Sequence, residues 1–321
     1  MMWKKIFLYP AQNLVTTIPI VLVLGFIVGN LADTGFLSEY ILVMTILMIY
    51  PTMIGMQLRE TFSRAHGKVL LIAHILNFII IPLLAYSIGL IFLGDNPRFI
   101  AGLVLASLLP TSGMTISWTA LFQGNVSAAI KLTVTGLILG SLLTPWYLFI
   151  LVGQLVPVDL WATFKTIITV VFLPLLAGSL TYRGLLKRLS KEDFQKKIKP
   201  LLPAFSVWAM LAIIFVSISM KAKIMIAHPQ LLLTSLLALL IFYLSNFLIS
   251  TIIARTFFTP KDGVALIYGT VMRNLSLALG LAVTNFGAES ALLVTLAFII
   301  QVQGAAWFGS LSRRYQWLGA S

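Results

Sequence analysis

Two short stretches concentrate the residue types that could bind a small charged ligand. The first is Leu109-Pro110-Thr111-Ser112-Gly113-Met114-Thr115. The second is Gly269-Thr270-Val271-Met272-Arg273-Asn274-Leu275-Ser276, and each lies inside a long apolar segment. Pro110 removes a backbone donor and Gly113 lowers helix propensity, so the first segment is predicted to be an interrupted helix. The second segment is predicted to break at the corresponding place. Carbonyls freed at such breaks can bind a cation, and amides freed at a half-helix N-terminus can bind an anion. The bland reading is a tolerated kink between packed helices. A binding site is favoured because the breaks come as a pair and one of them carries a full charge.

Arg273 is that charge. A charge near the bilayer centre costs at least about 2.5–3.5 kcal/mol, and snorkelling from that depth is difficult. No Asp or Glu lies inside an apolar segment except near an end. A bound anion would supply the missing counter-charge in a bidentate contact. Lys131 has two readings. Its stem can snorkel back to the headgroups, or its ammonium can face the cavity, where it is a candidate carrier of a coupling proton. Asn77 and Asn246 either join neighbouring helices or line a site. Gln301 and Gln303 are similar, although two residues apart on a helix they cannot face the same way. His74 reads as a packed histidine. Trp146, Tyr147, Trp161 and Trp307 read as interfacial anchors.

Composition says what must position these residues. The chain has 321 residues, is 60% hydrophobic and 10% charged, and has a mean hydropathy of +1.02. A soluble domain is nearer 25% charged, and one core cannot bury so much apolar surface. The net charge of +13 lies mainly between apolar segments, without a basic face interleaved with aromatics. Cytoplasmic positive loops explain it better than nucleic-acid binding. There are no cysteines, which removes disulfides, thiolate metal sites and a cysteine nucleophile. The three histidines have no ligand spacing, so neither a metal nor a cofactor is expected. No catalytic dyad lies within the segments, and no Walker A motif is present. An enzyme and a primary pump are both disfavoured. Lys4 and Lys5 before a long apolar run resemble a signal peptide, but no small-residue cleavage site ends that run. A retained first helix is expected.

A spanning helix needs roughly 20 apolar residues. Ten candidates follow: 11–32, 37–57, 68–94, 98–122, 126–153, 161–182, 201–220, 228–256, 262–286 and 288–312. The basic segment 183–200 separates residues 1–182 from residues 201–321. With ten spans, one side of the membrane receives 16 Lys and Arg and the other receives four. That asymmetry places both termini, and the 183–200 loop, in the cytoplasm of a multi-pass inner-membrane protein. Five spans per half (11–153 and 161–312) would make two halves of similar fold an inverted repeat within a single structural unit. Local matches are Asn77-Phe78 with Asn246-Phe247, and Phe122-Gln123-Gly124 with Asn285-Phe286-Gly287.

The run from Pro110 to Asn125, Gly124-Asn125-Val126 continuing to Leu142-Leu143-Thr144-Pro145, and Met272-Arg273-Asn274-Leu275-Ser276-Leu277-Ala278 resemble the bile acid:sodium symporter family. The resemblance extends over nearly the whole chain in hydropathy and order of spans. It implies an all-α membrane fold of ten helices in two inverted five-helix repeats. It implies a panel domain of spans 1, 2, 6 and 7 and a core domain of the others, with unwound fourth and ninth spans crossing in the core. Substrate would lie between panel and core, and alternating access would follow from their relative motion.

The departures are informative. Carried over, the first sodium site falls on Thr115, Ile116, Ala129, Thr133 and Gly269. Ile116 stands where the family has Asn, Ala129 where it has Ser, and Gly269 where it has Glu. The second site falls on Asn77, where the family has Gln, with Gly269, Thr270 and Met272. It also takes in Arg273, again in place of Gln. The carboxylate is gone and a guanidinium has entered. Arg273 is therefore expected to be a tethered cation standing in for sodium. Lys131 lies two positions from both Ala129 and Thr133, on nearly the opposite helix face, which argues against the same role for it.

The substrate-binding set expected from these readings is Arg273, Asn274, Thr111, Ser112, Gly113, Thr115, Asn77, Asn246, Gln301 and Lys131. Asn274 matches a family asparagine near the substrate, and Thr111, Ser112 and Gly113 line the other half-helix. Family substrates include bile acids, pantoate, pyruvate and other 2-oxo acids. One strong cation suits a small monocarboxylate or 2-oxo acid, carried without sodium. The alternatives are a sodium-coupled bile-acid-like or pantoate symporter, and a membrane sensor on a transporter fold. The related arsenite-efflux branch has a cysteine where this chain has Thr111.

Overall fold

Only a helix satisfies its own backbone in lipid without a partner strand, and helices dominate this chain. The computed structural model describes residues 2–55, 66–94, 96–111, 113–227, 229–315 and 317. The helices in chain order are α1 (Met2–Gln12), α2 (Leu14–Leu31), α3 (Ile41–Met53), α4 (Gly67–Ile75), α5 (Ile81–Leu93), α6 (Pro97–Leu108), α7 (Gly113–Leu121) and α8 (Val126–Tyr147). They continue with α9 (Leu160–Ile167), α10 (Leu173–Leu186), α11 (Lys191–Asp193), α12 (Leu202–Ala227), α13 (Pro229–Phe257), α14 (Pro260–Val271), α15 (Leu275–Phe286) and α16 (Ala288–Arg314). Wide π turns join α4 to α5 and α9 to α10. At the first of these, Pro82 cannot donate to the Phe78 carbonyl four residues back. The Tyr147 hydroxyl donates to it instead.

Among the described residues, six helical segments are long and apolar enough to cross a membrane: Gly35–Met53, Gly67–Leu93, Val126–Val152, Lys191–Met220, Pro229–Phe257 and Ala288–Ser312. Counting the bent pair Ile6–Gln12 and Thr16–Leu31 as one span makes seven. The expected spans 98–122 and 262–286 are each split in two, as α6 with α7 and α14 with α15, at the two interruptions predicted from the sequence. Burial is arranged for lipid. Leu71, Ile91, Ile150, Leu176, Leu233 and Leu248 are exposed, whereas Asn77, Asn246, Thr270, Arg273 and Gln301 are buried. A soluble protein does the reverse. The chain is an all-α, multi-pass membrane protein.

Several boundaries differ from expectation, and the basic segment 183–200 is largely helical where a loop was expected, with α10 reaching Leu186 and a helical run from Lys191 to Ile198. Helix α1 precedes the first expected span and packs on α12, where the Trp208 indole donates to the Phe7 carbonyl at 3.0 Å. Helix α12 runs on to Ala227, so Lys221 and Lys223 are helical and not in a loop. Lys, Ala and Met are good helix formers, so nothing between residue 220 and Ala227 stops the helix.

Packing sorts the helices into two groups. Helix α12 lies against α2 and α3, and α3 against α10. The second group joins α4, α5, α6, α7, α8, α13, α14, α15 and α16, and it meets the first through contacts of α15 and α16 with α2, α3 and α12. Gly25 and Gly29 let α2 approach α12 closely. A Cβ at Gly29 would lie 2.0 Å from the Ser219 carbonyl oxygen, and one at Gly25 would lie 3.0 Å from that of Phe215. Small residues four apart permit this approach in membranes, where packing itself drives association.

Replacing Gly29 by Ala should force α2 off α12 and destabilise the protein by about 1–3 kcal/mol. Gly184→Ala, where an added Cβ meets nothing within 4 Å, should be neutral. Thermal melting in detergent checks the pair, and equal melting temperatures would mean that α2 packs elsewhere.

Candidate functional site

The two breaks face each other. Helix α6 ends at Leu108 and α7 starts at Gly113, while α14 ends at Val271 and α15 starts at Leu275. Between them the chains run antiparallel, with Pro110 bridged to Arg273. Thr111 N–H donates to the Met272 carbonyl at 2.9 Å, and Asn274 N–H to the Leu109 carbonyl at 2.8 Å. Pro110 has no N–H to offer, but at a non-hydrogen-bonded position of an antiparallel pair none is needed. Four half-helix ends thus meet here, two with positive and two with negative dipole poles.

In an extended backbone, residue 273 turns its own N–H and C=O to the edge away from Pro110. Gln301 on α16 takes both. Arg273 N–H donates to Gln301 Oε1 at 2.7 Å, and Gln301 Nε2 donates to the Arg273 carbonyl at 3.2 Å. The Tyr243 hydroxyl on α13 also donates to Gln301 Oε1, at 3.0 Å.

The carbonyls at the end of α14 are occupied as well. Asn77 Nδ2 donates to Gly269 O at 3.0 Å, and Asn246 Nδ2 to Thr270 O at 3.1 Å. Met272 N–H donates to Tyr268 O at 3.1 Å. Thr270 Oγ1 and Ser250 Oγ lie 2.7 Å apart, and Ser250 reaches Asn246 Oδ1 at 3.3 Å. Asn274 caps α15, its Oδ1 accepting from Leu277 N–H at 3.3 Å.

Thr111 is the strained residue. Its φ is +64°, in the left-handed region that a β-branched residue rarely enters. Its hydroxyl lies 2.6 Å from Pro110 O and 3.3 and 3.4 Å from the carbonyls of Leu132 and Thr133 on α8. Helix α8 comes this close because Gly136 and Gly140 face the break. A Cβ at Gly136 would sit 2.8 Å from Thr111 Oγ1, and one at Gly140 would sit 3.1 Å from Pro110 Cδ.

At the centre is a charge without a partner. Arg273 is 1% exposed, and Nε, Nη1 and Nη2 make no hydrogen bond. The ion pairs among the described residues, Arg98 with Glu289 and Lys197 with Asp193, do not include it. A buried, unpaired guanidinium is far costlier than a paired one.

The hydrogen-bond network thus joins Thr111, Gly269, Thr270, Met272, Arg273, Asn274, Asn77, Asn246 and Gln301. Both asparagines and Gln301 bond backbone of the second break, so their amides link helices and border the site at once. Ser112 lies outside the described residues, and Gly113 opens α7. Thr115 is buried on α7. Lys131 is 4% exposed on α8. Ile116 is half-buried, and Ala129 accepts from Thr133 Oγ1 within α8 at 2.8 Å. Sequence reasoning missed Tyr243, Ser250 and the glycine pair. The Gly136-x-x-x-Gly140 spacing was the available signal for the last.

The comparisons with known proteins agree with one another. The model of the Sodium Bile acid symporter family matches residues 41–228. The chain is 30% identical over 264 residues to protein YbaS of Bacillus subtilis, covering 81% of this chain and 83% of that one. It is 23% identical over 271 residues to the arsenical-resistance protein Acr3 of Corynebacterium glutamicum, covering 81% and 73%. It is 25% identical over 252 residues to the probable sodium/metabolite cotransporter BASS1 of Arabidopsis thaliana, covering 76% and 60%.

Asn246→Leu removes the donor to Thr270 O and leaves Ser250 without its amide partner. The expected loss is about 1–3 kcal/mol, the cost of stranding a buried polar group. Melting of the variant in detergent checks it, and an unchanged melting temperature would mean that water reaches the α14 terminus.

Proposed function

The chain belongs to the sodium bile acid symporter family, and from that premise we propose that it carries a small organic anion across the inner membrane without sodium. The observation that carries this reading is Arg273, buried at the paired helix breaks with all three guanidinium nitrogens unbonded. A carboxylate would fill two of those donors in the fork geometry that arginine favours. A monocarboxylate or 2-oxo acid matches a single cation in charge.

Sodium independence is supported by the state of the carbonyls. Those of Tyr268, Gly269, Thr270, Met272 and Arg273 all accept from protein donors. Each therefore has only its second lone pair left to offer a sodium ion. It would also meet the guanidinium, and two unit charges 4 Å apart repel by about 4 kcal/mol at an effective dielectric of 20. No carboxylate offsets this, since Gly269 stands in the family's glutamate position. A Cβ there would already press on Leu132 Cδ1 at 2.7 Å. In this reading Arg273 is both the tethered cation and the partner of the anion.

The reading includes ten spans in two inverted repeats. Helices α2, α3, α10 and α12 form the panel, the second packing group forms the core, and both termini are cytoplasmic. Its support is the twofold occurrence of a broken helix and the separation of the packing groups. Alternating access would move the core, with its crossover, against the panel.

Uptake of labelled pyruvate into proteoliposomes tests the proposal. Equal uptake in sodium and in choline is expected, and strict sodium dependence would sink the tethered-cation reading. Binding without flux would assign a sensor role. Arg273→Ala should weaken pyruvate binding by at least about 100-fold, the value of two charged hydrogen bonds. Unchanged affinity in a folded variant would leave Arg273 a purely structural cation.

A further inference from the structure

We propose that Tyr243 and Gln301 form a clamp that fixes Arg273 in its anion-binding position, with Tyr243 acting through Gln301 and neither residue touching the anion. The inference rests on the anion-carrier reading, and it moves Gln301 from ligand to positioning residue.

The geometry of the amide is the first argument. Gln301 offers one acceptor and one donor side by side, as a neighbouring β-strand would. It uses them on Arg273 N–H at 2.7 Å and on Arg273 C=O at 3.2 Å. The other edge of the same segment is held by Thr111 N–H and Leu109 C=O. Residue 273 is therefore fixed from both sides, and only its side-chain torsions remain free.

The second argument is saturation. Gln301 Oε1 takes two donors, Arg273 N–H and the Tyr243 hydroxyl. An amide oxygen has two lone pairs, so none is left over for a cation. The amide cannot turn toward a substrate without breaking three bonds. The Arg273 N–H can only donate and its C=O can only accept, so together they reward only the orientation in which Oε1, not Nε2, faces the N–H. Tyr243, Gln301 and Arg273 are 2%, 1% and 1% exposed, so water does not replace a lost bond.

The third argument is the tendency of an unpaired cation to leave. A buried arginine relaxes by swinging its head toward polar surroundings. Movement of its Cα would help it do so. A clamp from α13 and α16 denies that movement and keeps the guanidinium at the crossover before the anion arrives. Fixing a binding group in advance lowers the ordering cost of binding.

The test is equilibrium binding of labelled pyruvate to purified wild type, Tyr243→Phe, Arg273→Lys and the double variant. Phenylalanine keeps the packing and removes only the hydroxyl. Tyr243→Phe should weaken binding roughly fivefold to tenfold in the wild-type background. The loss should fall below about twofold once Arg273→Lys has removed the fork, because the two residues act on one interaction. Equal losses in both backgrounds would overturn the clamp. If wild type binds no pyruvate, the anion-carrier reading fails on its own account. In that case, or if Arg273→Lys alone abolishes binding, amide exchange decides. The Arg273 N–H should exchange faster in Tyr243→Phe, and faster still in Gln301→Leu. Wild-type protection in both variants would sink the proposal.

Discussion

The antiparallel pairing of Pro110 with Arg273 is the contact on which the surrounding structure depends. A chain that leaves the helix inside a bilayer finds no water for its amides and carbonyls, and each unmade bond costs several kcal/mol. Two breaks placed face to face solve part of this problem by bonding to each other. The remainder falls on side chains. Asn77, Asn246 and Gln301 from three other helical segments, and Thr111 within the first break, are all buried, and each bonds backbone at the breaks or on the helix beside them.

That requirement shapes the packing around it. The side chains that reach the breaks are short, so their helices must come close. Gly136 and Gly140 on α8 face Pro110 and Thr111, and Gly269 on α14 faces Leu132. Away from the crossover the need disappears, and α4, α5 and α13 present leucine and isoleucine to lipid. The same economy explains Thr111. A threonine at φ +64° is unfavourable alone, but in that conformation its hydroxyl reaches the α8 carbonyls.

The sequence was legible where the signal is local. Pro110 and Gly113 mark a break because a missing donor and a missing side chain act within one turn. Arg273 stands out because charge in an apolar segment is rare whatever surrounds it. The reading ended where partners are distant. Tyr243 and Gln301 are 58 residues apart and Asn77 lies 192 residues from Gly269. Nothing in a single chain of letters says whether such an amide meets a ligand or a carbonyl. The extension of α12 to Ala227 was hidden for another reason. The expected span ended at residue 220, before Lys221 and Lys223, yet lysine is a good helix former.

A free ion and a tethered one do the same work at a crossover only while nothing moves. Either can neutralise dipole ends and attract an anion. A free cation also leaves, and its departure into a solution of lower concentration is what lets a gradient drive cargo. Arg273 is bonded to the chain and stays through every cycle. On the anion-carrier reading its charge therefore travels both ways across the membrane, compensated when the anion is bound and uncompensated when it is not. The empty return would carry a bare buried cation through the field, at about 2.3 kcal/mol per charge for each 100 mV. That asymmetry favours return with a second anion aboard. On that reading a tethered arginine does more than remove a coupling site, because it inclines the carrier toward exchange.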